Sequence, residues 1–273
     1  MNPTQSRFAS LCLWAQALCF LILNPLFYRA GLVQGEAPAL AALVSFVFPL
    51  VAIKGAKLPL KVSGEGLTAW WFVKLWALIF TIGYAVGLAV APLSALLPAL
   101  PTEGPAAGPT TTGFLFLIYS CFVGPVMEEV AYRGVALTVF RSRFTPLVAA
   151  LLSSLLFGAA HHDLIQGIPA FCMGLILCWV SMRWGLKVSA LMHIVHNCTV
   201  HITEWAFGAG WAMVVGVFAT VFLILGLYAL VTTLRRERRP WPPLSGGRVA
   251  ILVALTLFEV FVTLNNAFGW INF

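Results

Sequence analysis

Nine long apolar runs, separated only by short polar stretches, leave this chain one class of architecture. They cover approximately residues 8–28, 37–54, 69–97, 113–140, 145–161, 164–182, 187–206, 210–234 and 249–270. A helix needs roughly 20 mostly apolar residues to cross a bilayer. The runs are continuous rather than alternating, which makes them helices and not barrel strands. A backbone exposed to lipid must also satisfy its own hydrogen bonds. Of 273 residues, 61% are hydrophobic and 9% charged, where soluble domains carry about 25% charged residues. So few charges cannot cover a water-facing surface. The expectation is an all-α, polytopic transmembrane helix bundle. The first run follows a short polar stretch, residues 1–7. It exceeds a signal-peptide apolar region and no small-x-small site follows it, so it reads as a retained span.

The net charge of +7 is unevenly placed. Numbering the loops between runs, the even loops hold Lys54, Lys57 and Lys61, then Arg141 and Arg143, then Arg183 and Lys187, then Arg235, Arg236, Arg238, Arg239 and Arg248. The odd loops hold Arg29 with Glu36, then Glu103, Asp163 and Glu204. The positive-inside rule puts the even loops and the N-terminus in the cytoplasm and the C-terminus outside, in a plasma (inner) membrane. The basic loops then report topology and lipid contact, and no nucleic-acid partner is expected. The Pro-, Gly-, Ala- and Thr-rich stretch 98–112 reads as an extracytoplasmic loop. The stretch 235–248 reads as a basic cytoplasmic linker. It divides an eight-span core, residues 1–234, from an additional C-terminal helix, residues 249–273. Lys74, among Trp70, Trp71 and Trp76, reads as a snorkelling lysine in an aromatic belt. Six cysteines lie in apolar runs without a C-x-x-C pair and read as small buried hydrophobes.

An ionisable residue inside a span is costly and marks function by default. Three places stand out. In the fourth run, Glu128 and Glu129 precede Arg133. Glu129 and Arg133 are i, i+4 with the acid N-terminal, the favourable order for a helical ion pair. Glu128 is turned about 100° away on the helix and remains the chemically available carboxylate. The fifth run ends in Phe157-Gly158-Ala159-Ala160-His161-His162-Asp163. The seventh carries His193, His196, Asn197 and His201, with His193, Asn197 and His201 on one face. Each place alone is open to a structural explanation, an ion-pair cluster or helix–helix hydrogen bonding. All five histidines, however, fall between residues 161 and 201, one run after the glutamate pair.

Peptide hydrolysis needs an activated water, a group that orients it and donors for the oxyanion. Glu128 and His161 fit the first two needs; His193 and Asn197 fit the last. No serine or cysteine in these motifs has an evident base beside it. No H-E-x-x-H occurs, so no metal or other cofactor is expected, with zinc the alternative.

The motifs Glu128-Glu129-Val130-Ala131-Tyr132-Arg133, Phe157-Gly158-Ala159-Ala160-His161 and His193-Ile194-Val195-His196-Asn197 resemble, in order, the E-E-x-x-x-R, F-x-x-x-H and H-x-x-x-N motifs of the CPBP family. That family includes type II CAAX prenyl proteases and bacterial Abi-type relatives. The resemblance covers roughly residues 113–206. It implies an eight-helix core and a glutamate-dependent intramembrane endopeptidase acting on a membrane-anchored peptide or protein. Glu128 and His161 would activate water and His193 and Asn197 hold the oxyanion. Glu129, Arg133 and Phe157 would support them, and His162, His196 and His201 would line the cavity. Glu259, in the ninth run, lies outside the family motifs and reads as a structural partner for another helix, with cavity lining the alternative. A catalytically silent binding or immunity protein and a proton-coupled transporter are the rival functions.

Depth poses a difficulty. Counting ~1.5 Å per residue from the cytoplasmic loops, Glu128 and His161 lie ~20–24 Å deep and His193 only ~9 Å. Straight, perpendicular helices cannot bring them together. Two of these three residues favour the extracytoplasmic half, and with it the trimming of an exported, membrane-anchored protein.

Overall fold

The computed structural model describes residues 1–32, 35–58, 66–95, 114–236 and 249–268. Among these residues there are helices and turns and no strand. α1 spans Pro3–Arg29. It begins earlier than the apolar pattern predicts, and the reason is a capping box. Asn2 Oδ1 accepts the Gln5 N–H at 2.8 Å, and Gln5 Oε1 accepts the Asn2 N–H at 3.0 Å. Two orphan donors of the first turn are thereby satisfied, and the polar stretch 1–7 is recruited into the helix. α2, Glu36–Ala56, is interrupted at Phe46 and ends where Lys57 takes a left-handed φ of 50°. α3, Ala69–Val90, starts on Thr68, whose hydroxyl accepts the Trp71 N–H. It continues as a tighter turn over Ala91–Ala95.

α4 covers 114–141 and contains two π-helical segments, Tyr119–Val123 and Glu129–Ala136. α5 is Pro146–Ala159, with proline in its first turn, where the missing N–H costs nothing. α6, Leu164–Trp184, is capped by Asp163, which accepts the Gln166 N–H at 2.7 Å. α7 is Leu186–Gly208, α8 Ala212–Arg236 and α9 Ala250–Phe268. Nine helical stretches therefore occupy the places of the nine apolar runs. The 98–112 loop and most of the 235–248 linker lie outside the described residues.

Six of these helices are long and apolar enough to cross a membrane: Pro3–Arg29, Glu36–Ala56, Ala69–Leu93, Leu164–Trp184, Ala212–Thr233 and Ala250–Phe268. The other three, α4, α5 and α7, carry the polar motifs. α4 is subdivided by its π segments, α5 has 14 residues, and α7 is diluted by histidines, Asn197 and Glu204. The molecule is a polytopic helical membrane bundle whose least lipid-like helices hold its polar motifs.

Packing explains how those helices are held. α5 and α6 cross through Gly158 and Gly167. A Cβ on Gly158 would meet the Gly167 carbonyl oxygen at 2.6 Å, and one on Gly167 the Gly158 oxygen at 2.7 Å. Only backbone fits there, as is usual where membrane helices pack closely. α3 and α8 meet through Thr81, whose hydroxyl donates to the Phe222 carbonyl at 2.9 Å. α9 packs on α5 and α1, and Trp14 Nε1 donates to the Ile251 carbonyl at 2.9 Å. Lys74 differs from its sequence reading. It is 4% exposed, with Nζ 3.4 Å from the Trp71 ring centroid and 5.6 Å from that of Tyr228 on α8. Buried aromatic faces, rather than an interfacial belt, surround the ammonium group.

Candidate active site

The π-helical segment Glu129–Ala136 sets the geometry on α4. The Leu137 N–H reaches back five residues to the Tyr132 carbonyl, which also accepts the Ser153 hydroxyl of α5 at 2.7 Å. Such wide turns recur at functional sites because they re-aim side chains. Here they aim Glu129 and Arg133 into the bundle. Arg133 Nη1 lies 2.8 Å from Glu129 Oε1, and both side chains are fully buried. His193 Nδ1 is 3.1 Å from the same oxygen, and the Ser189 hydroxyl donates to Oε2. Glu129 thus joins α4 to α7 and meets three partners, two on Oε1 and one on Oε2.

Arg133 is held from the other side by an aromatic ring. Its guanidinium carbon sits 4.2 Å from the Phe157 centroid. Among the described residues no acceptor meets Arg133 Nε or Nη2, and the ring face takes that place. Phe157 also touches His161 and His193 edge-on, with centroids 5.0 and 5.8 Å apart, and packs on Tyr132 at 5.2 Å. The room for Arg133 comes from Gly174 on α6, where a Cβ would stand 3.2 Å from Nη2.

Glu128 is different from its neighbour. A third of its side chain is exposed, and it faces a cavity of about 1580 Å³. Its Oε2 lies 3.5 Å from His193 Nε2, an electrostatic contact rather than a formed hydrogen bond. His161 closes the C-terminal turn of α5, and its Nδ1 is 2.9 Å from the Phe157 carbonyl oxygen. A carbonyl can only accept, so Nδ1 carries a proton, and in the neutral ring Nε2 is then the acceptor. Asn197 donates through Nδ2 to the Ser120 carbonyl at 2.9 Å, leaving its second N–H for another acceptor. Glu128, His161, His193 and Asn197 line the same cavity, as do His162, His196 and His201. The depth difficulty is resolved by these contacts. His193 meets both glutamates although it stands only seven positions into α7, so the even-loop ends of α4 and α7 do not lie at one level along a common normal.

Two further polar contacts lie at the cavity. Ser120, outside the three motifs, has a base beside it: its Oγ is 2.9 Å from His201 Nε2. His201 Nδ1 is 3.7 Å from Glu204 Oε2, beyond hydrogen-bond reach. Glu259 both lines the cavity and pairs with another helix, its Oε2 lying 2.6 Å from His162 Nε2. Around that contact, Thr263 donates to the Ala159 carbonyl at 2.6 Å and Asn266 to the His162 carbonyl at 3.0 Å. Three residues of α9 thus grip the turn that carries His161.

Sequence reasoning missed Ser189, Ser120, Tyr132, Thr263 and Asn266. Ser189 was discoverable, being one helical turn before His193 on the same face. Tyr132, on the cavity wall, sat inside a motif already singled out. Nothing local pointed to the α9 residues. No group of three His, Cys, Asp or Glu side chains that could hold a metal occurs among the described residues.

Residues 110–199 match the family model of the type II CAAX prenyl endopeptidase Rce1-like proteins. The resemblance read from the three motifs is borne out over that segment. An Escherichia coli protein named "Uncharacterized 24.3 kDa protein" is 38% identical over 86 residues, 29% of this chain and 40% of that protein. "Putative membrane peptidase YdiL" of Bacillus subtilis strain 168 is 29% identical over 91 residues, 33% of this chain and 37% of that protein. The chain therefore spans about two fifths of the length of these curated relatives. No solved structure matches it.

Proposed function

We propose that the chain is an intramembrane endopeptidase of glutamic type, hydrolysing a peptide bond in or near the anchor of a membrane protein. What supports this reading is the convergence of Glu128, His161, His193 and Asn197, from three helices, on one cavity wall, together with the family match over the same segment. Water held between the Glu128 carboxylate and His161 Nε2 gives its proton to Glu128 as its oxygen attacks the scissile carbonyl. The second Asn197 N–H donates to the resulting oxyanion. His193 joins it when both its nitrogens are protonated, Nδ1 toward Glu129 and Nε2 toward the oxyanion, a cation that the Glu129 carboxylate stabilises. Glu128 then passes its proton to the leaving amine. The scheme uses no metal or other cofactor. Its partners are the lipid bilayer and an anchored peptide or protein substrate, with no nucleic acid. Its setting is the plasma membrane, N-terminus inside.

The test is a comparison of membrane-protein processing in cells carrying the wild type, Glu128→Gln or His161→Ala at equal abundance. Loss of a processed species with either variant is expected. A substrate cut at the full rate by Glu128→Gln would sink the mechanism. A second reading comes from the Ser120–His201 contact, with Ser120 as nucleophile. Its hydroxyl is also 3.4 Å from the Leu117 carbonyl, inside its own helix, and His201 lacks a bonded carboxylate. Ser120→Ala should therefore leave cleavage largely intact, whereas the second reading requires its loss.

A further inference from the structure

The cavity is not symmetric along the bundle. Its innermost lining residues are Leu13, Tyr132, Leu156, Met173, His193 and Leu255. Beyond them, toward the even-loop ends, the bundle is solid. One packed cluster there joins Ala9, Ala52, Val139, Phe140, Ala149 and Leu252, all buried, from α1, α2, α4, α5 and α9. A second joins Leu75, Ile79, Leu177, Val180, Met192 and Ala229, from α3, α6, α7 and α8. These clusters form a floor of helix-on-helix packing under the site. In the opposite direction the lining runs out to the helix ends: Leu32 and Glu36 between α1 and α2, Leu88 near the end of α3, Phe116 at the start of α4, and Glu204 near the end of α7. Leu88 is 62% exposed, and Glu36 and Glu204 are exposed as well.

Charge supplies the sidedness. Among the described residues, Arg7, Lys54, Lys57, Arg141, Arg143, Arg183 and Lys187 lie at the end with the floor. The end with the mouth carries Arg29, Glu36, Asp163 and Glu204. The positive-inside rule counts Lys and Arg in short loops, so the floor is cytoplasmic and the mouth extracytoplasmic. The lining itself contains carboxylates and histidines, and no Lys or Arg among the described residues. A substrate recognised by its free C-terminal carboxylate would call for such a cation.

From the floor, the mouth and the charge, and resting on the peptidase reading, we infer that the site is entered from the extracytoplasmic face and cuts an internal peptide bond of an exported, membrane-anchored protein, not the terminal carboxylate-bearing tail of a cytoplasmic one. The water that attacks enters by the same mouth, so no hydrated path crosses the floor.

Orientation and substrate class are tested separately. In intact spheroplasts, a membrane-impermeant maleimide should label Leu88→Cys and Glu36→Cys above the background of the six native cysteines, as in detergent. Labelling that appears only in inverted vesicles would overturn the inference whatever the protein cleaves. For the substrate, new peptide termini are compared between cells with wild type and with Glu128→Gln. Termini at the extracytoplasmic end of an anchor segment support the inference; termini from removal of a cytoplasmic C-terminal peptide overturn it. Absence of any dependent terminus would remove the peptidase reading and the substrate class with it, while the maleimide result would still decide the entrance.

Discussion

The cluster around Glu129 and the clamp around Glu259 are both buried polar networks that tie helices together, and they are built in opposite ways. The inner cluster is a chain of charges: Glu129 and Arg133 one turn apart on α4, closed by Ser189 and His193 from α7. The outer clamp is centred on one ring. His162 meets Glu259, and backbone carbonyls at 159 and 162 take the remaining α9 donors. Removing Arg133 from the first strands a full charge away from water. Removing Glu259 from the second strands only the His162 ring, which is partly exposed. The inner cluster should govern whether the bundle folds. The outer clamp should govern where the end of α5, and with it His161, comes to rest.

The largest effect should follow Arg133→Ala. Glu129 would keep Ser189 and His193 but lose its countercharge in a fully buried place, a loss of about 3–5 kcal/mol. A large drop in thermal stability in detergent is expected, measured on protein extracted from membranes. Arg133→Lys restores the charge but not the flat stack on Phe157, and should recover only part of the loss. An Arg133→Ala protein as stable as the wild type would show that the buried pair does not hold the helices.

Glu259→Ala comes next, at about 1–3 kcal/mol for a stranded buried hydrogen-bonding group. The comparison predicts a different kind of damage from this change. Stability falls modestly, while backbone hydrogen exchange rises locally over residues 159–163, and proposed cleavage falls with His161 mispositioned. Equal loosening of α4 and α7 would erase the distinction between the two networks. Ser189→Ala should cost a similar amount, about 1.5–3 kcal/mol for a hydrogen bond to a charge, with Arg133 and His193 still facing Glu129. Its signature is a lower melting temperature with unchanged exchange at 159–163.

The two networks also differ in how far they could be read in advance. Glu129 and Arg133 are four residues apart, so helix geometry alone pairs them, and the apolar runs alone give the bundle its helices. His162 and Glu259 are 97 residues apart. No local pattern says which helix α9 lies against, and Glu259 had several candidate partners. The depth of His193 was misleading for a related reason: counting residues from loop charges assumes a common level for helix ends, and tertiary packing sets those levels. Lys74 shows the same limit. One of the three tryptophans nearby in sequence, Trp71, does lie over the ammonium group, but the second ring, Tyr228 of α8, stands 154 positions away and no local pattern announces it. The π segments of α4 have no sequence signature in the apolar pattern at all.

The smallest effect is the sharpest probe of the clamp, because two substitutions at one position separate contact from backbone. His162 sits at a φ of 54°, in the left-handed region. A residue with a Cβ pays roughly 1–2 kcal/mol there, and glycine does not. His162→Ala removes the ring that meets Glu259 and keeps the unfavourable φ. His162→Gly removes the same ring and relieves it. If the clamp holds the turn in this conformation, the glycine protein should be more stable than the alanine protein by about 1 kcal/mol, with both below the wild type. The unfolded glycine chain gains entropy, which reduces the gap but does not reverse it. Melting temperatures of the two variants in the same detergent decide the matter. An alanine protein at or above the glycine protein would mean that the turn relaxes out of the left-handed region once the ring is gone, and that Glu259 imposes the conformation of the His161 turn rather than merely meeting it.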